Sequence, residues 1–109
     1  MSVEQIEKID FISTTPDGKG VTLTISDHLS WEEIDHLEIL QNKLNSYLHF
    51  IESGQLFVSY PNARNKELAI MVYLKFKPNS KALTFLNQSK KIIFKEGIEF
   101  EWMQLDALK

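Results

Sequence analysis

Between positions 34 and 51 apolar residues recur at steps of three and four: Ile34, Leu37, Leu40, Leu44, Tyr47, Leu48 and Ile51. At 3.6 residues per turn these stack into one stripe, and the spacing predicts a helix over residues 31–51. Glu32, Glu33, Asp35, Lys43, Asn45 and Glu52 fall off the stripe and are expected to face water. Ser30, with Glu33 three positions on, has the form of a capping box, in which each side chain satisfies an orphan amide of the first turn. Ser53-Gly54 supplies the stop, because glycine takes the left-handed backbone that ends helices.

Elsewhere the period drops to two. Residues 21–26 alternate Val21, Leu23 and Ile25 with Thr22 and Thr24, the pattern of a half-buried strand. Residues 6–14 read as a strand before it, with Ile9 and Phe11 on one side and Asp10 and Ile12 on the other. The turn cluster Pro16-Asp17-Gly18-Lys19-Gly20 joins the two into a hairpin. Residues 55–60, stopped by Pro61, read as one further helical turn.

Residues 68–76 are apolar on both faces, as a strand in the middle of a sheet requires. Ile70, Val72, Leu74 and Phe76 form the inward set, leaving Met71, Tyr73 and Lys75 opposite. A second helix follows over 81–95, with Ala82, Phe85, Leu86, Ser89 and Ile93 on its buried face and Gly97 as its stop. In the last strand, 98–105, Ile98, Phe100 and Trp102 point inward and Glu99, Glu101 and Met103 outward. Acids facing out discourage pairing with a second chain if this strand is an edge.

The order is therefore ββαβαβ: one α+β domain over residues 1–109, with a four-stranded mixed sheet and both helices on one face. The strand–helix–strand step over 68–105 implies parallel strands, and the hairpin antiparallel ones. The order of strands within the sheet stays open. A chain of 109 residues buries about two-thirds of its unfolded surface, enough for one core without a disulfide or metal staple.

Composition removes several chemistries. With no cysteine there is no disulfide, thiolate zinc ligand or thiol nucleophile. The glycines at 18, 20, 54 and 97 are too scattered for a dinucleotide fingerprint or a phosphate loop. No His-Glu-x-x-His pair or serine nucleophile elbow is present, so no catalytic residue is assigned and no cofactor is expected. The first residues carry no basic segment followed by an apolar run, and no apolar stretch approaches a membrane span, which reads as a cytoplasmic protein without membrane contact. Residues 1–38 hold nine acids and two lysines, and residues 39–109 hold ten bases and six acids. The lysines at 75, 77, 81, 90, 91 and 95 come without an aromatic platform, so nucleic acid is not an expected partner.

Three groups of residues remain as candidate sites. Asp27, His28, Glu32 and His36 form the densest polar cluster, with Glu32 and His36 spaced to share one helical face toward a metal or small ligand. Tyr60, Arg64 and Lys66 gather around the loop before the central strand, and Arg64, the only arginine, suits bidentate contact with a carboxylate or phosphate. The open face of the sheet is expected to carry Ile12, Met71, Tyr73 and Met103, an apolar patch suited to a protein partner or a second copy of the chain. The leading expectation is a non-enzymatic interaction module, homodimeric or docking on another protein. The alternative is a metal- or small-ligand-binding domain built on the Asp27 cluster.

The run from Trp31 through Leu40-Gln41-x-Lys43-Leu44-Asn45-x-Tyr47-Leu48-x-Phe50-Ile51-Glu52-Ser53-Gly54-Gln55-Leu56 resembles a family of small bacterial proteins catalogued as a domain of unknown function. Ile9-Asp10-Phe11-Ile12, the Pro-Asp-x-x-Gly turn and Gly97-Ile98-x-Phe100 are similar as well, so the likeness covers most of the chain. It implies a bacterial single-domain protein without an assigned activity, and it transfers no catalytic residue.

Overall fold

Alternation at every second residue shapes the sheet seen in the computed structural model, which describes residues 11–104. β1 (Phe11–Thr14) and β2 (Gly20–Asp27) form the expected antiparallel hairpin. Its turn is tied by Asp17, whose Oδ1 accepts from Thr15 Oγ1 at 2.6 Å and from the Lys19 amide at 3.0 Å. β3 (Glu67–Leu74) lies parallel to β2, and β4 (Ile98–Gln104) lies parallel to β3. The order across the sheet is β1-β2-β3-β4, so each crossover connects immediate neighbours. Ile9, Asp10 and Leu105, placed in strands by their pattern, lie outside the described residues.

Three helices cover one face. They are α1 (His36–Glu52), α2 (Gln55–Ser59) and α3 (Ser80–Lys95), with a 3-10 turn over Pro61–Ala63 after α2. Leu40, Leu44, Tyr47 and Ile51 of α1, Leu56 of α2 and Leu86 and Ile93 of α3 bury against Val21, Leu23, Ile25, Ile70, Val72, Leu74, Ile98 and Phe100. These are the inward sets that the period-two and period-3.6 patterns require. The start of α3 is capped by Asn79, whose Oδ1 accepts from the Ala82 amide at 2.8 Å. Gly97, at φ 83°, turns the chain from α3 into β4 in a conformation that a side chain would strain.

Six details depart from the sequence reading. The long helix begins at His36 and not at Trp31: residues 31–35 are turns, and Asp35 precedes the first helical residue without a side-chain cap. Ser30 and Glu33 therefore do not form a capping box; Ser30 Oγ accepts from the Glu32 amide instead. Ile34, expected in the stripe, is 97% exposed. Tertiary contacts of Trp31 and His36, described below, outweigh the local helical preference of this segment.

Phe76 lies beyond the end of β3 and is exposed rather than inward. Lys43, expected in water, is fully buried on α1, with its Nζ 5.6 Å from the ring centroid of Tyr47 one turn on. Attraction of the ammonium to the face of that ring helps offset its burial. Finally, Ile12 pairs with Leu23 and packs against the core, while Phe11 pairs with Thr24 and faces away from it. A one-residue slip in reading a strand inverts every side chain along it, and β1 is inverted relative to its pattern.

Candidate functional site

The link between β2 and α1 brings two ionisable side chains into the interior. Asp27, the last residue of β2, is 2% exposed, and His36, the first of α1, is 1% exposed. His36 Nε2 lies 2.6 Å from Asp27 Oδ2, and His36 Nδ1 lies 3.0 Å from the Ser30 carbonyl oxygen. A carbonyl only accepts, so Nδ1 carries a hydrogen and donates it; one further proton is then held between Nε2 and the carboxylate. The other carboxylate oxygen, Oδ1, accepts from the Leu29 amide at 3.1 Å. Trp31 stacks on the imidazole at 3.7 Å between centroids and 14° between planes, and its Nε1–H donates to the Phe76 carbonyl at 3.1 Å.

This arrangement is a clasp. Both imidazole nitrogens are committed, an indole covers one face of the ring, and no lone pair is left pointing at a cavity. Among the described residues, no buried side-chain nitrogen or oxygen lacks a partner. Of the four residues in the polar cluster, the structure joins only Asp27 and His36 in this buried contact. Glu32 is exposed on the turn before α1, so it is not one helical turn from His36, and His28 is exposed as well. Among the described residues, no group of three or more histidines, cysteines or acids is placed to hold a metal ion.

Arg64 follows the 3-10 turn and sets its guanidinium 5.6 Å from the ring centroid of Phe57. Its neighbours serve structure. The Tyr60 hydroxyl is 2.9 Å from Thr14 Oγ1, and Lys66 Nζ donates to the Gly18 carbonyl at 2.6 Å, fastening the loop to the hairpin turn. Arg64 stays on the surface, apart from the Asp27–His36 clasp.

The third candidate is the sheet face opposite the helices. Side chains of paired residues share a face, so the register defines its rows. One row runs Phe11, Thr24, Met71 and Glu101; the next runs Ser26, Tyr73 and Met103; a third runs Ser13, Thr22, Ala69 and Glu99. Met71, Tyr73 and Met103 therefore lie together as the sequence pattern placed them. Ile12 does not join them, and Phe11, 60% exposed, stands in its place. The signal for Phe11 was the Leu23-centred register, which sequence alternation within a four-residue strand does not set. The face is apolar at its centre, hydroxyl-bearing on the β1–β2 side and acidic along β4.

The chain belongs to the family of unknown function DUF6572, whose model matches residues 1–106. No curated protein and no solved structure matches it. Among the described residues, no helix is long and apolar enough to cross a membrane.

Proposed function

We propose that this member of a family without an assigned activity is a protein-interaction module that pairs with a second copy of itself through the open sheet face. The observation that carries the reading is the row-wise grouping of Phe11, Met71, Tyr73 and Met103 on the face that no described helix covers. Phe11 and Met103 are 60% and 52% exposed, and apolar side chains gathered in this way favour removal from water.

The polar flanks suit a twofold partner. With a symmetry axis midway between the two sheets and along the strands, β4 of one copy faces β1 of the other, and β3 faces β2. Each row then lies across from itself reversed, so Glu99 meets Ser13, whose hydroxyl donates to a carboxylate, and Met71 meets Thr24. Two sheets stacked in this manner sit about 10 Å apart.

Size sets the strength. Four strands about 4.8 Å apart and about six residues long present a footprint of roughly 300–400 Å² per copy, well under the ~800 Å² per partner of a standard stable interface. The dimer is accordingly weak and concentration-dependent. Amide NMR spectra between about 20 μM and 1 mM test it, a range that brackets affinities of this class. Shifts with concentration at Thr24, Met71, Tyr73 and Met103 are expected. Spectra that do not change, or that change only on the helical face, contradict the pairing.

A further inference from the structure

At the β4 edge of the sheet, a cleft of about 500 Å³ runs between the C-terminal half of α3 and β4, lined by Asn87, Lys90, Lys91, Phe94, Glu99 and Glu101 together with Phe100. Its two walls differ in kind. The helical wall is basic and apolar, with Lys90 and Lys91 beside Phe94, whose ring is 68% exposed. The strand wall is β4 itself, which has β3 on one side and no described strand on the other. An edge strand turns the amide and carbonyl of every second residue away from its neighbour, a ready template for an added strand.

Among the described residues, one ion pair crosses this edge. Lys90 Nζ, reaching from α3, lies 3.3 Å from Glu101 Oε2 on β4, with both side chains about half exposed. Exposed pairs of this kind contribute little to stability and are readily exchanged for another partner.

The geometry points to β4 as a docking edge for an extended peptide of another protein, one that alternates basic residues with acidic or large apolar ones. An added strand places its alternate side chains on opposite faces. Those on the helical side enter the cleft, where Phe94 takes an apolar residue and Lys90 and Lys91 take a carboxylate. Those on the other side come to rest beside Glu99 and Glu101, where lysine or arginine makes a favourable cross-strand pair. A second β4 does not meet this requirement, because side-by-side copies set Glu99 and Glu101 against acids of the same kind. The edge thus rejects its own copy and accepts a partner of complementary charge. This site shares Glu99 and Glu101 with the rim of the open face, but its contacts do not require the dimer.

The test uses the full chain and two synthetic heptapeptides of identical composition. One alternates lysine with leucine, glutamate and phenylalanine, and the other carries the same residues in block order. Fluorescence anisotropy gives the affinities, and amide NMR locates the contact. The alternating peptide is expected to bind at least about tenfold more tightly than the block peptide, with shifts at Glu99, Phe100 and Glu101 and along the last turns of α3. Phe94→Ala, at a surface position, is expected to weaken binding severalfold. The double variant Glu99→Lys/Glu101→Lys is expected to reverse the preference toward a peptide alternating glutamate in place of lysine. Equal binding of the two peptides, shifts located elsewhere, no binding, or an unreversed preference in the double variant each overturns the proposal.

Discussion

Asp27 Oδ2 stands 2.6 Å from His36 Nε2, joining the end of the second strand to the start of the longest helix beneath the indole of Trp31. Removing one partner strands the other in the interior, so His36→Ala is expected to cost about 3 kcal/mol or more. Asp27→Asn keeps the shape and can donate from its amide to Nε2, so it is expected to cost only about 1 kcal/mol. Urea unfolding measures both. A loss from His36→Ala no larger than that from Asp27→Asn contradicts the clasp.

Asp17 governs the acid response of the hairpin turn. The Thr15 hydroxyl, and after it the Lys19 amide, stabilise its ionised form and hold its carboxyl below the usual aspartate value. A carboxyl depressed in the folded state adds stability above its unfolded pKa and loses it as pH falls through the folded value. Acidification below about pH 4 should therefore weaken the wild type by more than it weakens Asp17→Asn, compared by thermal unfolding across that range. Parallel pH profiles for the two proteins contradict this role.

Ile34 and Leu40 share one stripe in the sequence but not in the fold. Leu40 is fully buried, whereas Ile34 projects from the turn before α1. Leu40→Ala is expected to cost about 2–5 kcal/mol through the cavity it leaves. Ile34→Ser is expected to stay within about 0.5 kcal/mol of wild type by denaturant unfolding. Similar losses at the two positions restore the longer helix.

Much of this architecture was legible in the pattern alone. Strict alternation over Val21–Leu23–Ile25 and Ile70–Val72–Leu74 identified buried faces that the register then joined, and the α+β class followed from the order of periods. Misreadings arose where a distant contact outweighed local preference. Ser30 and Glu33 match a capping box, yet the stacking of Trp31 on His36 and the reach of His36 to Asp27 accompany an unwound first turn. The Asp27–His36 proximity appeared in the sequence as a ligand cluster, because spacing reports neighbours but not burial. Likewise the face of Ile12 depended on which β2 residue it meets, and a four-residue strand carries too few alternations to say. Lys43 was misplaced because residue type outweighed position: its helical setting next to Tyr47 is interior.

The pairing of two copies through the open face is tested most directly by sedimentation velocity over a concentration series, on wild type, Tyr73→Asp and Met103→Lys, with folding checked by circular dichroism. Met103 is largely exposed, so its variant preserves the fold even if Tyr73→Asp does not. The account predicts a wild-type sedimentation coefficient that rises with concentration and two folded variants that remain monomeric throughout. A wild type that stays strictly monomeric, or variants that associate as it does, would contradict pairing through the open face.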